Sequence, residues 1–172
     1  MMIGRPAASE AAEYYWNYIN QVPGDDPVAA LEAQRAELRE LAAAFSEQRS
    51  LYRYAAGKWS ARESLNHVTD TERIFSVRAL WFGRGFTEPL ASFDQNIAVA
   101  GAQADRLPWS GHVAEFLEVR EATIALFRNM PNEAWSRTGV ASGKPVTVRA
   151  LAFMCAGHAA HHFKILRERY LG

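Results

Sequence analysis

Two histidines near the C-terminal end, His158 and His162, stand four residues apart in the stretch TVRALAFMCAGHAAHHFKILRERY, Thr147 to Tyr170. On a helix this spacing puts two imidazoles on one face, one turn apart. That face is apolar: Val148, Leu151, Ala152, Cys155, Ile165 and Leu166 recur at helical period. At about 100° per residue, His158 and His162 fall roughly 20° either side of the stripe's centre at Leu151. His161 falls about 80° away, at the edge of the stripe. Two imidazoles pointing into a core need polar partners, and a metal ion satisfies both at once.

Holding a metal while leaving positions for water and substrate takes at least three protein donors. The third must come from another helix facing the same core. His67 is the best placed, in the first half of the pattern SARESLNHVTDTERIFSVRALWF, with Leu65, Val68 and Phe75 on the same segment. His112, beside Gly111 at the start of a different helix, is expected at the surface. Each histidine also has a plain reading as a hydrogen-bonded core or surface residue. Neutral imidazole suits Zn, Ni, Cu or Fe(II), so ligand type leaves the metal open. Cys155, one turn before His158, reads either as a small core residue or as a fourth ligand that would close the site.

Long helices must position these residues. Pro6–Asn20 reads as an extra N-terminal helix, ended by the breakers in VPGDDP. Val28–Ser46 is amphipathic, with Asp25 or Asp26 as its cap and Leu31, Leu38, Leu41 and Phe45 on its buried side. Ser60 followed by Glu63 is a capping box for the helix that carries His67, and Trp59 just before it is expected to pack back on Ser64 or its neighbours. After the loop GRGFTEPLASFDQN comes a short helix. A long one follows, capped by Ser110, with Val113, Phe116, Leu117, Ile124 and Phe127 facing inward. A hairpin around Ser142-Gly143 precedes Thr147, the expected cap of the last helix. The fold class is therefore all-α, a four-helix bundle with an extra N-terminal helix. The long connections leave simple up-down-up-down order unassured.

The chain has 172 residues, which suits a single domain over residues 1–172. Lys+Arg and Asp+Glu both number 19, and this zero net charge argues against nucleic-acid or membrane-surface binding while permitting self-association. One cysteine allows no intrachain disulfide. No apolar run reaches the length of a membrane span and MMIGRPAASEAAE lacks a signal peptide's apolar core, so a cytoplasmic location is expected.

Three stretches, KWSARESLNHVTDTER, ALWFGRGFTEPLASFDQN and VRALAFMCAGHAAHHFKILRERY, resemble the DinB/YfiT-like superfamily of metal-dependent four-helix bundle proteins in type, order and separation. The resemblance covers most of the chain from residue 58 onward. It implies an up-down-down-up bundle that holds a divalent metal through His67, His158 and His162, and it implies a homodimer. It says less about the reaction. Relatives include metal-dependent hydrolases and S-transferases that use low-molecular-weight thiols such as bacillithiol or mycothiol, the mycothiol-dependent maleylpyruvate isomerase among them. The expected partner is a small-molecule substrate, and the expected cofactors are Zn, Ni or Fe, with or without a thiol.

A metal so held lowers the pKa of a water or thiol bound to it. Such chemistry needs a proton acceptor, for which Asp94 in the FDQN loop is the first candidate. Asp70 and Glu63, within one turn of His67, are candidates to orient its ring. His161 is placed to hydrogen-bond the site or to shuttle protons at its rim. The plain readings are solvated or capping carboxylates and a partly exposed histidine. The alternative to an enzyme is a non-catalytic metal-binding bundle that serves as a stress-related sensor or interaction module.

Overall fold

The segment expected as one helix over Pro6–Asn20 is a series of short turns in the computed structural model, which describes residues 3–172. Two 3₁₀ turns, Ala8–Glu10 and Glu13–Tyr15, flank extended backbone at Ala11 and Ala12, and only α1 (Trp16–Ile19) is α-helical. Tertiary partners override the local preference. The Glu10 carboxylate bonds Arg149 and the Thr147 hydroxyl (2.8 Å), and Arg5 donates to the carbonyls of Ile19 and Val22. Burial pushes the Glu10 carboxyl up, but its bonds to Arg149, the Ala7 N–H and Thr147 leave it below the usual carboxylate value.

Helix α2 (Pro27–Ala43) starts where Asp26 Oδ1 accepts from the backbone N–H groups of Val28 (2.9 Å) and Ala29 (3.1 Å), with Pro27 in the first turn. Helix α3 (Ala61–Gly83) opens on the expected capping box. Glu63 N–H donates to Ser60 Oγ (3.0 Å) and Ser60 N–H to Glu63 Oε2 (2.8 Å). The short α4 (Gln95–Ala102) is followed by α5 (Trp109–Arg128), whose N-cap is Pro108 rather than Ser110. The Ser110 N–H instead meets Glu47 Oε1 at 3.4 Å. Strands β1 (Thr138–Ala141) and β2 (Lys144–Thr147) pair antiparallel around Ser142 (φ 55°) and Gly143 (φ 72°), the two positive φ values of a tight hairpin. Thr147 Oγ1 caps α6 (Val148–Ile165) by accepting from Ala150 N–H (3.1 Å), and the chain continues in π turns over Leu166–Leu171.

Helices α2, α3, α5 and α6 form the bundle. Helix α3 packs on α5 and α6, and α2 packs on the same two. Side-chain bonds fix the directions. Arg35–Glu121 and Arg128–Glu32 run α2 antiparallel to α5. Arg73–Glu115 and Ser76–Thr123 run α3 parallel to α5. Gln34–Ala156 and Arg167–Glu37 run α6 parallel to α2. The order is up-down-down-up, made accessible by the long α3–α5 and α5–α6 connections. Among the described residues no helix is long and apolar enough to cross a membrane.

A polar knot ties the four helices at mid-height. Arg120 on α5 is fully buried and meets Glu72 on α3 through Nε (2.8 Å) and Nη2 (2.7 Å), with Nη1 donating to Gln34 Oε1 on α2 (2.5 Å). Gln34 Nε2 donates in turn to the Ala156 carbonyl on α6 (2.8 Å). The histidines lie just beyond this knot, between a core half containing Phe75, Cys155 and Ala156 and another containing Leu65, Val68, Ala159 and Phe163.

Gly157 lets α1 approach α6 closely, because a Cβ there would collide with the Tyr18 carbonyl. Gly157→Ala is expected to push α1 off α6 and cost about 1–3 kcal/mol. Urea denaturation checks the cost, and faster exchange of the amides over residues 14–22 checks the displacement.

Candidate metal centre

Antiparallel packing of α3 on α6 sets His67 against His158 and His162. One ring nitrogen from each of the three lies within 4.8 Å of the others, and no fourth His, Cys, Asp or Glu among the described residues joins them. His67 Nε2 and His158 Nε2 are 3.2 Å apart. Two nitrogens sharing a tetrahedral zinc at its usual bond length would be about 3.3 Å apart. The three residues are 4%, 5% and 9% exposed, so the nitrogens converge in the interior of the bundle.

The electrostatics suit a metal. Burial lowers His67 to about 4. Burial, with His67 and His161 nearby, lowers His162 to about 3. His158 is held well below the ordinary value by burial and then by His162, His67 and His161. All three rings are therefore neutral near pH 7, the form that ligates. Two rings have hydroxyl neighbours on the far nitrogen: Thr71 Oγ1 lies 3.5 Å from His67 Nδ1, and Ser64 Oγ lies 3.4 Å from His162 Nδ1. With Nδ1–H directed at these oxygens, Nε2 is left as the donor toward the centre.

Other residues singled out in the sequence sit elsewhere. Asp94 is exposed and is the N-cap of α4, its Oδ1 accepting from Asn96 N–H (2.8 Å) and Ile97 N–H (3.2 Å). Asp70 pairs with Arg73 (3.3 Å), and Glu63 is occupied by Arg53 and its capping bond. Thr71, one turn beyond His67, holds the position expected of Asp70 or Glu63. Trp59 packs on the His67 ring, centroids 4.8 Å apart, and lines a cavity together with Ser64. His161 is half-buried at the rim, its Nδ1 accepting from Gln21 Nε2 (3.2 Å). Cys155 is buried away from the centre with Ser76, Glu72 and Arg120 nearby, and burial pushes its thiol well up. His112 is a correction: only 1% exposed, it meets the Ala104 carbonyl at 2.8 Å because the α4–α5 connection folds over the start of α5.

Among the described residues, cavities reach the histidines from two sides. One of about 150 Å³ touches His67 and His158 and is walled by Tyr15, Tyr18, Thr71, Phe75 and Arg78. The other, about 310 Å³, touches His162 and is walled by Trp59, Ser64, Asn96 and Tyr170. No carboxylate among the described residues lines either. Sequence reasoning missed Tyr18 and Arg78 entirely. Thr71 and Ser64 carried a usable signal, four residues after His67 and four after Ser60 on a helix already inferred.

The profile of the DinB superfamily matches residues 30–166, which takes in all three histidines. The chain belongs to the DinB superfamily. Among solved structures it is similar to YfiT from Bacillus subtilis, described as a probable metal-dependent hydrolase with an unusual four-helix bundle topology. The TM-score is 0.74 at 18% identity, over 95% of this chain and 89% of that one. At that identity the likeness establishes the fold. No curated protein matches the sequence.

Proposed function

We propose that this DinB-superfamily chain is a metal-dependent hydrolase of a small molecule, with His67, His158 and His162 holding one divalent ion. The observation that carries the reading is the convergence of three buried, neutral imidazoles with no fourth donor among the described residues, next to a cavity. A divalent ion in such a site acts as a Lewis acid and lowers the pKa of a water or thiol that it binds. The protein's part is positioning. Thr71 and Ser64 orient the His67 and His162 rings, and Trp59, Phe75 and Tyr18 keep bulk water off the reacting end. The Tyr18 hydroxyl, 2.8 Å from that of Tyr14, belongs to a residue of the wall and is placed to hydrogen-bond an oxygen of the substrate. Zn, Ni and Fe(II) all suit this donor set.

Thiol transfer is a second reading, favoured by the separate cavity on the His162 side, which leaves room for a low-molecular-weight thiol apart from an electrophile in the first. The test is turnover of model esters and amides, and conjugation of a generic electrophile by several thiols, with chelated and metal-reconstituted protein. Metal-dependent hydrolysis supports the first reading and metal-dependent conjugation the second. Metal binding without either reaction leaves the sensor or interaction module. A cytoplasmic homodimer belongs to the same proposal, and sedimentation of the purified chain tests the dimer.

In this reading Asp94 caps α4 and is not the base. Asp94→Asn keeps a good cap and is expected to leave the pH–rate profile unchanged. A loss of the acidic limb in that variant would restore Asp94 as the base.

A further inference from the structure

Three arginines are less than a tenth exposed, and two have carboxylate partners: Arg62 with Glu47 and Arg120 with Glu72. The third is Arg78 on α3, 5% exposed and without a carboxylate partner among the described residues. Its Nη2 donates to the Ala91 carbonyl (2.9 Å) and Ser142 Oγ (3.1 Å), while Nε and Nη1 make no hydrogen bond within the described residues. A guanidinium stays charged at any physiological pH, and neutral oxygens do not cancel that charge. Leaving a buried charge uncompensated is costly. Arg78 also lines the cavity that reaches His67 and His158, a cavity with no acidic side chain among the described residues of its wall.

The geometry along α3 orders that wall. His67, Thr71, Phe75 and Arg78 follow one another at helical spacing, and Arg78 returns to within roughly 20° of His67 after three turns. Their Cα atoms are separated by about 16 Å of rise, and an arginine side chain leans toward its helix N-terminus, back toward the histidines. The wall is thus ligating at one end, apolar in the middle where Tyr15 packs edge-on against Phe75, and cationic at the other end.

We infer that Arg78 is an anion-binding residue of this cavity, and that the molecule it takes is a small organic acid. Its carboxylate or phosphate sits on the guanidinium, its apolar middle lies along Phe75, and its far end reaches the histidines. The length from anion to far end is on the order of 10 Å. The inference deepens the hydrolase reading by naming the substrate class, and it rests on that reading only for the reacting end.

Equilibrium binding without turnover tests it, on metal-free protein. The probes are hexanoate, hexyl phosphate and the uncharged hexanamide, followed by calorimetry and by shifts of tyrosine ring resonances. Wild-type protein is expected to bind at least one of the two anions and to bind the amide about ten- to hundredfold more weakly. Comparing hexanoate with hexyl phosphate tells carboxylate from phosphate. Arg78→Met is expected to lose that preference, Arg78→Lys to keep part of it, and both to retain the metal stoichiometry of wild type. Equal binding of anion and amide by wild type, or undiminished anion binding in Arg78→Met, overturns the inference. Should Arg78→Met not fold, the anion-to-amide ratio in wild type and its fall with added salt decide the matter alone. Anion preference in a protein that shows no metal-dependent turnover would sink the hydrolase reading and leave this one standing.

Discussion

Alanine at His67 or His158 is expected to weaken binding of a divalent ion by more than about 100-fold, the upper end of what a mere supporting partner contributes. Three donors converge and no fourth stands by among the described residues, so each one lost would leave only a pair of imidazoles. The effect has a stability signature. An ion that binds only the folded chain, supplied at 100 times its Kd, stabilises by about 2.7 kcal/mol. For a chain of this size that raises Tm by about 5–10 °C. Calorimetry with Zn, Ni or Fe(II), set beside elemental analysis, is expected to show the shift in wild type and none in either variant. Thr71→Val keeps the shape and removes the hydroxyl beside His67 Nδ1, so a loss of about tenfold is expected there. A metal-linked Tm shift that survives in His158→Ala would show that the ion sits elsewhere.

Arg120→Met is expected to cost about 3–5 kcal/mol of folding stability, because it strands the Glu72 carboxylate in the core. Set against the 5–15 kcal/mol typical of a folded domain, that is a large share, worth a Tm drop of roughly 10 °C. Replacing both partners, Arg120→Met with Glu72→Leu, is expected to recover most of the loss, because no charge is then left buried. Urea denaturation of the four-protein cycle measures the coupling. A single variant within 1 kcal/mol of wild type would mean that the knot is easily resolvated. The knot also bears on the metal centre, since Gln34 links it to the Ala156 carbonyl two residues before His158.

Much of this protein was legible from the chain alone, and the legible features share a cause. The Asp26 cap with Pro27, the Ser60–Glu63 capping box, the Ser142-Gly143 hairpin and the Thr147 cap all depend on groups a few residues apart. The angular position of His158 and His162 on α6 is likewise a matter of 3.6-residue periodicity. Topology became readable only with the resemblance, because nothing within a helix says which other helix lies beside it.

The misreadings share a cause too. Pro6–Asn20 has helical composition, but Glu10 and Arg5 spend their bonds on distant groups and the segment breaks into turns. His112 reads as a helix-end surface residue until the α4–α5 connection folds over it and supplies the Ala104 carbonyl. Arg120 lies four residues after Phe116 and four before Ile124, on the stripe that packs inward, and was passed over because a charge is normally solvated. Asp70 and Thr71 are three and four residues from His67, and helical spacing by itself does not choose between them. The choice falls to Thr71 because Arg73 engages Asp70.

The sequence by itself determined the long helices, most of their caps and the pair of histidines on one face, because each follows from the geometry of a few consecutive residues. The tertiary structure decided that His67, already favoured, comes within reach of the pair, that the Thr71 and Ser64 hydroxyls lie beside the rings, and that Arg78 faces the same cavity with no acid among the described residues of its wall. Those outcomes depend on contacts between segments tens of residues apart, where packing and burial select partners that periodicity cannot rank.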